Sequence, residues 1–290
     1  MRPVRSVVVP VAGLGTRVLP ATKTIPKELL TVVDRPLIDY VYEEAREAGC
    51  EHFIFVTGRG KSAIEDYFDH AFELEATLEA KNKTAVLDDL VYRKPPAGAV
   101  SYTRQQAPLG LGHAVLCARR LVGDEPFAVI LPDDVVQNER GCLAQMIDAY
   151  NEVGGNLVAI EEVPQDRTNK YGVVAPEGPA DGRLVKMSGM VEKPDPADAP
   201  SNLAIIGRYI LQSEIFPLLA DQGAGAGGEI QLTDSMATLM KAQTFHGFRF
   251  EGARHDCGDK LGWLKANVAM GLAREEFAAD FRAYLKDAIG

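Results

Sequence analysis

The stretch that decides the fold is SVVVPVAGLGTR, residues 6–17. Residues 4–11 form a valine-rich apolar run, the pattern of a strand buried on both faces. Gly13 and Gly15 end that run. They permit a tight turn and a close backbone approach to a ligand, and amide groups there can cradle phosphate. Two known phosphate fingerprints fail here. A dinucleotide turn needs GxGxxG, but Val18 stands at the third glycine position, and GxxxxGK[ST] is absent. The preceding Arg2 and Arg5 superficially suggest a signal peptide. The apolar run is short, however, and flows into the turn with no small-residue cleavage site.

Outward from this strand the pattern alternates. Ile38, Val41, Tyr42 and Ala45 are spaced i, i+3, i+4, i+7, with Gly49 at the stop, and predict a helix. Residues 52–57 predict a strand. Ser62 and Glu65 have capping-box spacing ahead of Ile64, Tyr67 and Phe68. Residues 99–103 and 127–131 predict strands, 113–121 and 141–153 helices, and 156–163 an extended segment. This alternation implies a largely parallel sheet with helices on both faces. In such sheets ligands bind beyond the carboxyl ends of the strands.

The second half differs. Residues 171–174, 184–192 and 203–211 read as strands without long helices between them, separated by Pro/Gly/Asp-rich pieces at 176–182 and 194–200. Residues 220–228 are glycine-rich and expected to be mobile. After Cys257 the pattern turns helical. Leu261, Leu264, Val268 and Leu272 share a face, and Phe277, Phe281 and Leu285 continue it. No linker separates two cores, so 1–290 is read as one domain with a helical extension at 260–290.

Composition narrows the function. A chain of 290 residues can bury roughly 75% of its unfolded surface and needs no staple. The 31 Lys+Arg against 41 Asp+Glu give a net charge of −10, which argues against a nucleic-acid or anionic-membrane binder but leaves room for a local basic cleft. No stretch approaches the ~18 apolar residues of a membrane span. Cys50, Cys117, Cys142 and Cys257 are far apart with no CxxC pair, which fits free thiols in a reducing cytoplasm.

Four motifs carry chemistry. Arg17 and Lys27 flank the glycine turn, and two cations there suit a triphosphate. Pro132-Asp133-Asp134 follows the 127–131 strand. Either carboxylate could hold Mg²⁺, a hard ion that keeps phosphate and water in its shell; Asp133 is nearer the strand end, and Asp256 is a second candidate. Gln105 and Gly110 lie between a strand and a helix, where an amide can read a pyrimidine edge and glycines admit the base. Glu192-Lys193 at a strand end could hold sugar hydroxyls and a phosphate.

Together these stretches resemble the bacterial UTP–glucose-1-phosphate uridylyltransferases of the sugar-nucleotide nucleotidyltransferase superfamily. The resemblance rests on VAGLGTRVLPATKTIPKELL at 11–30, FELEA at 72–76, LGLGHAVLCAR at 109–119 and VILPDD at 129–134. It continues through YGVV at 171–174, VEKP at 191–194, SNLAIIGRYIL at 201–211, GEIQLTD at 228–234 and HDCGDKLGWL at 255–264. It implies an α/β, Rossmann-like nucleotidyltransferase fold with a mixed, mostly parallel sheet flanked by helices. The implied reaction takes UTP and α-D-glucose 1-phosphate to UDP-glucose and pyrophosphate, with Mg²⁺, in a cytoplasmic homodimer or homotetramer. By position, Ala12 and Gly13 would meet the uracil, with Gly15 in the same turn, and Gln105 and Gly110 would hold its other edge. Arg17 and Lys27 would lie along the triphosphate. Asp133 would bind the metal, with Asp256 as a possible second ligand. Gly172, Glu192 and Lys193 would hold glucose 1-phosphate. Three rivals stay open: thymidylyl transfer from dTTP, a non-catalytic regulatory homologue that binds nucleotide sugars, and an NAD-dependent oxidoreductase.

Overall fold

A computed structural model describes residues 1–179, 182–223, 225 and 228–290. Its backbone is a nine-stranded sheet. The strand order is Val100–Arg104, His52–Thr57, Ser6–Pro10, Phe127–Ile130, Leu203–Leu211, Asn156–Glu162, Phe245–Arg249, Leu184–Glu192 and Gly172–Pro176. The sheet is mixed, as expected, but parallel pairing does not predominate: of the eight neighbouring pairs in that order four are parallel and four antiparallel. The first four strands are mutually parallel, so the segments that follow them emerge along one edge. Leu203–Leu211 then runs antiparallel to Phe127–Ile130. Only its Arg208–Leu211 half pairs with that strand; the Leu203–Ile205 half continues past it and pairs with Glu162–Ile160 and Val173. The strands Gly172–Pro176 and Leu184–Glu192 are thereby built just beyond the edge where the parallel strands end.

Period-two alternation puts successive side chains on opposite faces, and both faces are covered. Val7, Val9, Phe53, Phe55 and Ile130 pack with the helices Leu37–Glu47 and Cys142–Val153. Val8, Ile54, Val56, Phe127 and Val129 pack with Leu111–Cys117, Ile215–Asp221 and Leu232–Leu239. The continuous apolar runs of the sequence are the strands with helices on both sides.

Several elements depart from the sequence reading. Ser62 does not cap its helix. Lys61 holds the N-cap position and no side chain bonds the helix end, since an ammonium offers no acceptor to the first amides; it pairs instead with Glu28 at 2.7 Å. The 113–121 helix is two pieces, Leu111–Cys117 and Arg119–Val122, joined at Ala118. The helices Phe72–Ala80 and Thr84–Arg93 carry almost no buried face, so periodicity did not reveal them. The paired strands Asp134–Gln137 and Ala253–Asp256 were also unanticipated. The shared face of Leu261, Leu264 and Val268 exists on the helix Lys260–Leu272, but it is exposed. That helix packs instead through Ala266, Trp263 and Met270. The expectation of a mobile stretch at 220–228 falls partly on 224, 226 and 227, which lie outside the described residues.

Candidate active site

Four loops leave the C-terminal ends of the parallel strands side by side. The first, after Ser6–Pro10, carries the glycine turn. Gly15 adopts φ +64°, and a Cβ there would press on Thr22 and Lys27, so only glycine fits. Thr22 Oγ1 donates to the Gly15 carbonyl at 2.7 Å and pins the turn. Gly13 is different: nothing lies within 4 Å of where its Cβ would be, which leaves its backbone open to a ligand. Ala12 is backed by Gly58, whose Cβ would fall 3.2 Å from the Ala12 carbonyl.

The loop after Phe127–Ile130 separates the two aspartates that the sequence left ambiguous. Asp134 is fully committed to the fold. Its Oδ1 accepts from Arg254 Nε at 2.7 Å and its Oδ2 from the Gly207 amide at 3.0 Å. Asp133 faces the cleft, where Lys27 Nζ donates to its Oδ2 at 2.7 Å and Arg17 Nη2 stands 3.7 Å away. Burial alone would lower the Lys27 ammonium and raise the Asp133 carboxyl. Their mutual attraction outweighs it, so Lys27 titrates above and Asp133 below the ordinary value. Burial raises the Asp134 carboxyl, opposed by Arg254.

Asp256 joins them. A Cβ on Gly258 would lie 2.9 Å from Arg17 Nη2, 2.9 Å from Asp256 Oδ1 and 3.0 Å from Asp133 Oδ2. One small space is therefore lined by two carboxylates and a guanidinium, and glycine keeps it clear. Among the described residues no group of three or more His, Cys, Asp or Glu side chains is disposed around a metal. Two carboxylates would suffice for Mg²⁺ only where substrate oxygens and water complete its shell.

Gln105, buried after Val100–Arg104, donates through Nε2 to the Gly110 carbonyl and approaches His113 Nδ1, each at 3.0 Å. Gly110 has φ +100°, but the space its Cβ would need is filled by Glu229 and the Ile230 carbonyl. A side chain at this position would therefore collide with the chain packed behind it. The Gly112 amide donates to the Ile230 carbonyl at 2.8 Å, and the Ile230 amide to the Leu109 carbonyl at 2.7 Å.

The sugar-side candidates also meet. Gly172 and Glu192 are register partners on adjacent strands. Glu192 Oε2 accepts from Thr233 Oγ1 at 2.7 Å, and a Cβ on Gly172 would crowd both. Lys193 takes φ +46°, a conformation that costs a lysine of order 1–3 kcal/mol and that clusters at functional sites. Its amide donates to the Tyr171 carbonyl, and its ammonium stands 3.3 Å from Glu192 Oε1.

Three residues that the sequence reading passed over connect these groups. Thr233 links the 229–233 segment behind Gly110 to Glu192. Arg254, nearly buried, reaches Asp134, stands 3.7 Å from Asp256 and stacks 5.4 Å from the Tyr171 ring. Arg208, fully buried, donates to the Leu131 and Asp134 carbonyls on either side of Asp133 and is neutralised by Glu44 at 2.7 Å. The only sequence signal for Arg208 was an arginine inside an otherwise apolar strand.

The nucleotidyl transferase family model matches residues 6–270. The UTP–glucose-1-phosphate uridylyltransferase of Komagataeibacter xylinus is 50% identical over 265 residues, 91% of this chain and 93% of that one. A UTP-bound UGPase from Acinetobacter baumannii superposes with a TM-score of 0.89 at 45% identity, covering 97% of this chain and 98% of that one. A UDP-glucose pyrophosphorylase complexed with UDP-glucose gives a TM-score of 0.83 at 43% identity, covering 93% of this chain and all of that one. The chain belongs to the nucleotidyl transferase family, among its UTP–glucose-1-phosphate uridylyltransferases.

Proposed function

We propose that the protein transfers the uridylyl group of UTP to α-D-glucose 1-phosphate, giving UDP-glucose and pyrophosphate. The observation that carries this reading is the gathering of Lys27, Arg17, Asp133 and Asp256 around one cleared space beside an open glycine turn. The relatives that bind UTP and UDP-glucose support the choice of nucleotide and sugar.

Each group has a role by position. The open backbone at Ala12 and Gly13 takes the uracil, with Gln105, held by Gly110, on its other edge. Gly15 sets the turn that brings Arg17 and Lys27 along the triphosphate. Gly172 leaves room for the glucose ring, Glu192 accepts from its hydroxyls, and Lys193 holds its phosphate. A divalent ion, read as Mg²⁺, would be held by Asp133 and Asp256, where it would supply Lewis acidity.

The attacking group is a phosphate oxygen that is already an anion, so the chain needs no general base. Both substrates sit side by side, so it needs no covalent nucleophile. The difficulty is bringing two anions together and stabilising the charge that builds on the departing pyrophosphate, which is a matter of positioning and preorganised charge. Lys193 holds the attacking phosphate in line, and Lys27 offsets the leaving-group charge. dTTP is the rival donor, since one methyl is worth only ~1–3 kcal/mol in a pocket. A homodimer or homotetramer belongs to the same proposal.

Exchange of labelled pyrophosphate into UTP tests direct attack. Exchange should require glucose 1-phosphate or UDP-glucose. Exchange with UTP alone would mean a covalent uridylyl-enzyme and would overturn the mechanism.

A further inference from the structure

We propose that His113 is the residue that sets base selectivity, by fixing which edge of the Gln105 amide faces the nucleotide. This rests on the reading of Gln105 as the base-contacting side chain. The argument begins with the Gly110 carbonyl, which can only accept. The Gln105 atom 3.0 Å from it is therefore the amide nitrogen, whichever way the amide might otherwise turn. That same nitrogen lies 3.0 Å from His113 Nδ1. Because the amide nitrogen is a donor, Nδ1 must be the acceptor, and the imidazole is neutral with its proton on Nε2.

Both amide hydrogens are thus committed inside the protein. The one polar edge that Gln105 can still present is its carbonyl oxygen, an acceptor. Gln105 itself is buried and its main chain is tied to the Thr57 carbonyl, so it has little freedom to turn elsewhere.

An acceptor-only edge selects among pyrimidines. Uracil and thymine carry a donor at N3, whereas cytosine carries a lone pair there. Oε1 bonds the first two and repels the third. With no acceptor at position 113, one amide hydrogen would be freed and the amide could turn its nitrogen toward the base, which suits cytosine. His113 acts through Gln105 and is a positioning residue.

The test compares kcat/KM for UTP and CTP, with glucose 1-phosphate as acceptor, in wild type and in the variants His113→Leu, His113→Asn and Gln105→Leu. Thermal melts confirm that each variant is folded. Asparagine places an acceptor oxygen near the Nδ1 position. The expected result is a fall of about fivefold to tenfold in the UTP:CTP ratio for His113→Leu, the factor set by one net hydrogen bond. His113→Asn should restore the ratio, and Gln105→Leu should lower it at least as far. A purely structural role would lower both nucleotides together and leave the ratio unmoved, which would overturn the proposal. If Gln105→Leu lowers the ratio and His113→Leu does not, the role of His113 fails while the base-reading role of Gln105 stands. An unchanged ratio in Gln105→Leu overturns both.

Discussion

Replacing Lys27 with methionine removes one charge from the densest part of the site while keeping most of the side-chain stem. Lys27 Nζ donates to Asp133 Oδ2 at 2.7 Å, and both side chains are only 17% exposed, so water screens little of what this ammonium does. Arg17 stands 3.7 Å from the same oxygen but is 64% exposed, so it replaces little of that field. Loss of one preorganised charge contact at a reacting phosphate is worth about 2.7–4 kcal/mol, or roughly 10²–10³ in turnover. Stability should fall less, by about 1–3 kcal/mol, because Asp133 keeps Arg17 and the open side of the cleft. Pyrophosphate release in saturating UTP and glucose 1-phosphate measures the first quantity and thermal denaturation the second. Turnover within about threefold of wild type would remove Lys27 from the catalytic machinery. Linkage gives an independent check. Asp133 titrates below its ordinary value, so its stabilisation is complete above about pH 4 and is lost as pH falls through the folded value. Lys27 titrates above its ordinary value, so its stabilisation persists below about pH 10.4 and is lost as pH rises through the folded value. The gap in Tm between wild type and variant should be open between those limits and close beyond them. A gap that stays constant from pH 3 to pH 8 would contradict the pairing.

Three further outcomes follow from other contacts. Asp133→Asn should weaken the metal dependence of activity and cost about 1–3 kcal/mol of stability by breaking its pair with Lys27, whereas Asp134→Asn should leave the metal dependence alone and cost about 1.5–3 kcal/mol by weakening its charged bond to Arg254; unchanged metal titration in Asp133→Asn would move the metal site elsewhere. Thr233→Val leaves Glu192 without its 2.7 Å donor, so KM for glucose 1-phosphate should rise about fivefold to tenfold while KM for UTP stays put; equal shifts in both would remove Thr233 from the sugar site. Arg208→Leu strands the Glu44 carboxylate in the core and should cost about 3–5 kcal/mol, with part of the loss recovered when Glu44 is also made apolar; a melt within a degree of wild type would refute the buried pairing.

The parallel half of the fold was legible because strands covered on both faces must be continuous apolar runs, as residues 4–11, 52–57 and 127–131 are. The turn chemistry was legible for a similar reason: few residues besides glycine accept the φ that Gly15 adopts. What could not be read were consequences of tertiary contact. The sequence favoured Asp133 over Asp134 only by its nearness to the strand end, and it is Gly207 and Arg254, drawn from distant strands, that tie Asp134 into the fold and leave Asp133 facing the cleft. Nothing in the sequence showed that Gly110 is also pressed from behind by Glu229 and Ile230. The Ser62–Glu65 spacing misled because the helix begins one residue earlier than it implied, with Lys61, paired to Glu28, at the N-cap and Ser62 already inside. The helices at 72–93 bury almost nothing and so left no periodic signal to find.

The central claim is the choice of donor and acceptor. It is tested most directly by measuring pyrophosphate release with glucose 1-phosphate and Mg²⁺, offering UTP, dTTP, CTP, ATP and GTP separately, each with and without chelator. The account predicts strong release with UTP that chelator abolishes. Preference for dTTP would contradict the uridylyl assignment while sparing the site geometry. Silence with every nucleotide, from protein shown to be folded, would contradict the reaction itself.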